Sequence, residues 1–235
     1  GNGNEHGVST ARDGRTVVGF DHVDFGSFGS DQITLPVFEL GGEECPIEIW
    51  EGIPGKPDSE MLARVIYHKP SIWNVYQEES YKLNRRIKGV TQISFVLHQK
   101  IHLKGFSFAP LQKAYEKLYA SENDAVYGDT FRIEGREVTG IGNNVTLEFH
   151  DMDFGEDGCS SVTICGRTHN DKDAIHISFQ EGEQETRQLV EFEGTADDSY
   201  RELTFPLKCV KGTKTVRFIF LPGSNFDFSW VEFHH

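Results

Sequence analysis

Carboxylates dominate the reactive groups of this sequence: 37 Asp and Glu stand against 23 Lys and Arg, with 10 His and 4 Cys. Two acids brought together by folding could cleave a glycosidic bond, and such a pair leaves no local signature. Other catalytic sets do leave one, and no G-x-S-x-G elbow, H-E-x-x-H pair or Cys-His constellation occurs. Asp-Phe-Gly occurs twice, at Asp24-Phe25-Gly26 and Asp153-Phe154-Gly155. Without a glycine-rich loop, a following strand lysine or a His-Arg-Asp segment it has none of a kinase's other parts and reads as a repeated turn. Residues 151–158 carry spaced acids as a calcium loop would, but Gly155 stands at the third ligand position. Cys45, Cys159, Cys165 and Cys209 form no C-x-x-C pair, so they read as buried thiols rather than zinc ligands or disulfides. Asn144-Val145-Thr146 matches a glycosylation sequon, which matters only in a secretory compartment.

The net charge of −14 repels phosphate backbones and anionic membranes, which argues against a nucleic-acid partner and for neutral rather than anionic ligands. No apolar run approaches the ~18 residues of a membrane helix. The opening residues 1–7 contain neither an initiator Met nor an apolar signal segment, so a soluble piece of a longer protein is expected. His234 and His235 read as the stub of a purification tag.

The elements that must position any site come in two sets. Val23-Asp24-Phe25-Gly26 returns as Met152-Asp153-Phe154-Gly155, and Ile47-Glu48-Ile49-Trp50-Glu51-Gly52 returns as Ile177-Ser178-Phe179-Gln180-Glu181-Gly182. Residues 88–97 return in the same order as residues 211–220, with offsets that drift only where loops change length. Within each copy the dominant period is two: Ile175, Ile177 and Phe179 alternate with His176, Ser178 and Gln180, and Val216, Phe218 and Phe220 with Arg217 and Ile219. Gly, Asn and Asp clusters separate these runs, which predicts antiparallel strands in a sandwich. From Pro110, Leu111, Ala114, Tyr115 and Leu118 recur at helical spacing and predict a short helix. The expected fold is all-β: two tandem jelly-roll β-sandwich domains, 1–108 and 124–235, joined by a short helical linker at 109–123.

Three runs carry a resemblance to a known family: Ile141-Gly142-Asn143-Asn144-Val145 through Met152-Asp153-Phe154-Gly155, then residues 200–207, then Gly223-Ser224-Asn225-Phe226-Asp227-Phe228-Ser229-Trp230. With the repeat aligned, the chain resembles a pair of family 6 carbohydrate-binding modules of galactose-binding-domain type. It is similar to those at the C-terminal end of bacterial family 2 glycoside hydrolases of the β-galactosidase kind. The resemblance implies a site at the loop end of each sandwich, where two rings face each other across a sugar and an Asn from the last loop bonds its hydroxyls. A flat ring suits the apolar C–H face of a pyranose, and fixed polar groups suit its hydroxyl rim.

Seat by seat, the implied sugar-binding residues are Trp73, Tyr76 and His102 in copy one and Asn143, Asn144, Tyr200, Asn225 and Asp227 in copy two. The first aromatic seat falls at Gly140 in copy two and near Ala11 in copy one, so both lack that ring; Asp197 takes the place of Trp73 in copy two. Trp230, among Phe226, Phe228 and Phe233, reads as core. The resemblance also implies a structural calcium, with Glu134 as the aligned ligand and Glu5 opposite it. The expected function is non-catalytic binding of a neutral oligo- or polysaccharide for a fused parent catalytic domain. The alternative is a pair of modules that brace the parent enzyme, and exposure of Trp73 separates the two: a platform must be exposed, a core residue buried.

Overall fold

The structure, a computed structural model, describes residues 8–9, 14–39 and 44–235. The chain divides into two compact units, Gly1–Leu111 and Gln112–His235. Period-two patterning produces strands throughout. In the first unit these are β1 (Val8–Ser9), β2 (Thr16–Asp24), β3 (Ser30–Glu39), β4 (Cys45–Glu51), β5 (Glu60–Tyr67), β6 (Gln77–Ile87), β7 (Val90–Leu97) and β8 (Ile101–Leu103). The second unit holds β9 (Leu118–Tyr119), β10 (Ala125–Tyr127), β11 (Arg132–Glu134), β12 (Glu137–Ile141), β13 (Thr146–Asp153) and β14 (Cys159–Thr168). It continues with β15 (Lys172–Glu181), β16 (Gln184–Glu193), β17 (Arg201–Val210), β18 (Thr213–Phe220) and β19 (Phe226–His234).

Each unit is built from two antiparallel sheets whose apolar faces supply its core. In the first, the orders are β1-β8-β3-β6 and β2-β7-β4-β5; in the second, β11-β12-β19-β14-β17 and β10-β13-β18-β15-β16. Strand for strand, these are the same two orders, with β10 and β11 added at the outer margins and β9 paired to β19. Ile33, Leu35, Ile47, Ile49, Phe95 and Leu97 fill the first core. In the second, Phe218 meets Phe228 at 5.3 Å and Phe154 meets Phe233 at 5.2 Å between ring centroids, in edge-to-face pairs. Trp230 is buried as expected, with the Lys117 ammonium 3.7 Å above its ring.

The two Asp-Phe-Gly segments make one and the same turn. Asp24 Oδ1 accepts the Gly26 N–H at 2.8 Å, and Asp153 Oδ1 accepts that of Gly155 at 2.9 Å. Gly26 and Gly155 both take positive φ, 76° and 63°, which lets the carboxylate close back on the backbone. Each turn then exchanges two backbone hydrogen bonds with a connection that crosses between the sheets, Phe25 and Gly26 with Gly89 between β6 and β7, Phe154 and Gly155 with Gly212 between β17 and β18.

Two expectations need correction. The helix from Pro110 does not form: the segment holds only two single 3-10 turns, Lys113–Tyr115 and Ala120–Glu122, with β9 between them pairing to Trp230 and Val231 of β19. The first turn has no side-chain cap, and so short a helix gains too few bonds to offset its nucleation cost, so Leu118 is recruited as an edge strand instead. Residues 112–123 therefore belong to the second unit rather than to a separate linker. Cys45, Cys159 and Cys165 are buried free thiols, but Cys209 is exposed. His234 closes β19 with its Nε2 2.8 Å from Thr163 Oγ1, and His235 stacks on Tyr115 at 4.0 Å, so both pack against the second unit.

One outer strand of the second unit, β16, is charged. On β16, Glu185 pairs with Arg187 at 3.0 Å and Glu191 with Lys172 of β15 at 2.8 Å, which places ion pairs along a strand that has hydrogen-bonded neighbours on one side only.

Candidate functional site

In the first unit, register decides what comes together. Phe38, near the end of β3, lies directly opposite His102 of β8, and its ring meets the imidazole edge-to-face at 5.5 Å. The connection from β5 to β6 folds over the same ring. Its Ser71 hydroxyl donates to the Glu39 carbonyl at 2.6 Å, and the Val75 N–H closes a turn on the Ile72 carbonyl at 3.1 Å. Asn74 sits in that turn at φ 61°, a conformation Asn tolerates better than most side chains. The turn presents Trp73 edge-on to Phe38 at 5.8 Å and 84°, while Tyr76 meets Phe38 at 6.2 Å.

Trp73, Tyr76 and His102, three residues implied by the resemblance, thus converge on one buried phenyl ring. Phe38 is 2% exposed, whereas Trp73 is 82% exposed and is flanked by exposed Ile72 and Val75. The Lys104 ammonium lies 5.8 Å from the Tyr76 ring, and both residues line a cavity of about 410 Å³ together with Pro36, Glu78 and Phe106. Ala11 and Glu5 lie outside the described residues.

The corresponding end of the second unit has a different chemistry. Arg167 of β14 stands opposite Asp227 of β19, and its guanidinium donates to Asp227 Oδ2. Asp227 Oδ1 accepts the Gly140 N–H at 2.8 Å, and His169 Nε2 lies 3.1 Å from Oδ2. Asp227 is only 3% exposed. Burial alone would raise its pKa, but the hydrogen bonds from Arg167, Gly140 and His169 outweigh burial and hold it below the usual carboxylate range.

Tyr200 lies beneath the Arg167 guanidinium at 4.9 Å and donates its hydroxyl to Glu137 at 2.7 Å. Asp198 occupies a turn at φ 55° and reaches His169 Nδ1 at 2.8 Å. Asn225 is exposed and is held through its backbone, its N–H on Asp173 and its carbonyl accepting from His169 N–H. Asn143 Oδ1 accepts the Gly223 N–H at 2.6 Å, pinning the last loop, and Asn144 turns the chain at φ 54°. Gly140 leaves the first aromatic seat without a ring, and a Cβ there would meet the Arg132 guanidinium at 3.5 Å.

Phe38, Arg167, His169 and Glu137 are missing from the sequence reading. Their one available signal is that Phe38 and Arg167 fall at the same point once β3 and β14 are aligned.

Glu134 does not fit a calcium ion. One carboxylate oxygen accepts from Arg132 Nε and the other from Thr139 Oγ1, both at 3.0 Å, and an adjacent guanidinium disfavours a cation. Among the described residues no group of three His, Cys, Asp or Glu could hold a metal. A separate polar cluster crosses β13 and β18, where Glu148 binds Arg217 Nε at 2.7 Å, Tyr127 Oη at 2.8 Å and His150 Nε2 at 3.0 Å. Burial pushes the Glu148 pKa up, but those three partners together bring it down to about 2. No helix is long and apolar enough to cross a membrane among the described residues.

No family model and no curated protein matches the chain. Solved structures similar to about half of it are family 6 carbohydrate-binding modules. That of CsCBM6-3 from Clostridium stercorarium in complex with cellobiose is 24% identical, covers 52% of this chain and 94% of its own, and has a TM-score of 0.45. A β-1,3-glucan binding module from Bacillus halodurans is 18% identical over 52% of this chain and 97% of its own, with a TM-score of 0.45. A glycoside hydrolase family 43 arabinoxylan arabinofuranohydrolase from Bacillus subtilis, in complex with cellotetraose, is 13% identical. It covers 98% of this chain and 54% of its own, with a TM-score of 0.43.

Proposed function

We propose that the first unit binds a neutral oligo- or polysaccharide on the Trp73 shelf without catalysing its cleavage. One observation carries this reading: Trp73 is 82% exposed yet held edge-on by buried Phe38. An exposed indole flanked by Ile72 and Val75 leaves apolar surface in water, and covering it with the C–H face of a pyranose relieves that cost. Because the ring is already placed, little ordering entropy opposes binding. Tyr76, His102 and Lys104 line the approach and can meet the hydroxyl rim. With one ring rather than two, the affinity expected is ~0.1 to 1 mM.

In this reading the two units descend from one module and serve a longer bacterial enzyme, a family 2 glycoside hydrolase of the β-galactosidase kind. Weak contacts there raise the effective concentration of substrate near a fused catalytic domain. A second reading applies to the second unit and rests on the Asp227 cluster. A carboxylate whose oxygens are already engaged by Gly140, Arg167 and His169 offers little to a sugar hydroxyl, and this favours a bracing role there.

The test is titration of the chain against a panel of neutral oligosaccharides by NMR or calorimetry, with Trp73→Ala alongside. Binding that the variant loses supports the shelf. Binding that the variant retains places the site elsewhere, and no binding across the panel favours bracing for both units.

A further inference from the structure

β16 and β17 are the margins of the second unit's two sheets, and the Gln188 side chain joins them. Its amide oxygen accepts the Lys208 N–H at 2.7 Å, and its amide nitrogen donates to the Lys208 carbonyl at 3.1 Å. At this seam lies a cavity of about 560 Å³, lined by Arg187 and Gln188 from β16, Lys208 and Cys209 from β17, Lys211 from the following turn and Lys214 from β18. Four cations thus share one cavity in a chain whose net charge is −14, and no carboxylate lines it. Carboxylates outside the lining engage two of the four: Glu185 accepts from Arg187 at 3.0 and 3.1 Å, and Glu181 pairs with Lys214. The Lys208 and Lys211 ammonium groups have no such partner among the described residues. Asp157 meets the lining through its backbone carbonyl, 3.7 Å from Cys209 Sγ.

The first unit neutralises the corresponding corner. Arg85 stands two residues before Ile87, which pairs with the first residue of β3, just as Lys208 stands two residues before Val210, which pairs with the first residue of β14. Glu51 and Glu60 face each other across β4 and β5, and both accept from Arg85. The matching pair across β15 and β16 is Glu181 and Gln184. Gln184 is neutral, and Glu181 is engaged by Lys214, which stands where the first unit has Thr91. The second unit therefore withholds from Lys208 both carboxylates that its counterpart receives, and unpaired like charges beside one cavity raise its positive potential.

We propose that the cavity between β16 and β17 binds a phosphate group, as the free dianion or as a monoester. Two of its four cations are balanced and two are not, and a phosphate monoester brings a charge of about −1.5 to −2 at neutral pH. The cations arrive from two strands, a turn and a third strand, so they can meet the three outer oxygens of a tetrahedral group, whereas a carboxylate offers two. Lysine serves here as a point charge on a flexible stem, and Gln188 fixes the backbone from which Lys208 projects. The site belongs to the second unit and does not rest on sugar binding by the Trp73 shelf.

The test is NMR titration of the whole chain at about pH 7.5 and constant ionic strength, with inorganic phosphate, glucose 6-phosphate and glucose as probes. Phosphate should shift the amides of residues 186–188 and 208–214, and glucose should not. Tighter binding of glucose 6-phosphate than of phosphate identifies a monoester as the ligand, and equal binding identifies the free ion. Lys208→Gln combined with Lys211→Gln should weaken phosphate binding about tenfold, and Gln184→Glu, which supplies the carboxylate that Glu60 gives the first unit, about threefold. Lys172→Gln, which removes a cation paired with Glu191 outside the cavity, should leave it unchanged. No shift with either phosphate, shifts confined to other residues, the same response to glucose, or undiminished affinity in the double variant would each overturn the proposal.

Discussion

Phe38 and Arg167 hold the same place in their two units, each the penultimate residue of its strand and each opposite the last strand of the sheet, at His102 and Asp227 respectively. That one exchange sets the character of the surroundings. A phenyl ring next to an imidazole gathers further rings, Trp73 and Tyr76, by edge-to-face contact. A guanidinium next to a carboxylate gathers polar groups, and Tyr200 is turned into a stacking partner for a cation.

Trp73→Ala should abolish measurable oligosaccharide binding by the first unit while changing stability by less than about 0.5 kcal/mol, because the ring is mostly in water. Phe38→Leu should weaken binding too, though Phe38 touches no ligand, and should cost about 1 kcal/mol through lost edge-to-face contacts. Calorimetric titration combined with urea unfolding separates the two. Equal stability loss in both variants would contradict the assignment of platform and support.

Asp227→Ala should destabilise the second unit by about 3 to 5 kcal/mol, since it leaves the half-buried Arg167 charge, the Gly140 N–H and the His169 ring without their partner. The pKa of Asp227 is lowered in the folded state, so its contribution is present above the unfolded carboxylate range and is lost as pH falls through the folded value. Chemical unfolding followed by near-ultraviolet circular dichroism reads the loss. A change within about 0.5 kcal/mol would show that the cluster is dispensable.

Glu148 predicts the acid limb of stability. Its pKa is about 2 in the folded chain against an ordinary 4.5, so its contribution is complete above pH 4.5 and disappears as the pH approaches 2. In Glu148→Gln the urea midpoint should start lower at neutral pH and fall less steeply on acidification than in the wild type. Parallel pH profiles for the two proteins would refute the assignment.

Asn74 and Asp198, each in the turn that leads into β6 or β17, share a left-handed backbone at φ 61° and 55°. Asn74→Val should therefore cost about 1 to 3 kcal/mol more than Asn74→Gly, and should displace Trp73. Indole NMR shifts of Trp73 in the two variants report the displacement. A valine variant with wild-type shifts and stability would show that the turn is not what positions the ring.

Strand content was legible because burial follows the alternation: Ile175, Ile177, Val216, Phe218 and Phe220 are all fully buried. The helical spacing of Leu111, Ala114, Tyr115 and Leu118 misled because spacing does not report whether a helix is long enough to outlast its nucleation cost, nor that Leu118 has a strand to join. The grouping of candidate residues was legible where they share a local turn, as at Trp73 and Tyr76. It was illegible where residues meet across strands. Phe38 and His102, or Arg167, His169 and Asp227, are joined by register between distant segments, and register cannot be read from composition.

The charged margin of the second unit bears on how the chain is made. Two sandwiches with one strand order on a single polypeptide invite a strand of one to enter the sheet of the other before either is finished, the characteristic misassembly of neighbouring like domains. An intruding strand alongside β16 would have to strip water from the ion pairs of Glu185 and Glu191 with Arg187 and Lys172, and that desolvation is unfavourable. The ion pairs along β16 thus disfavour a foreign strand at that edge of the sheet, and they do so without contributing to any core.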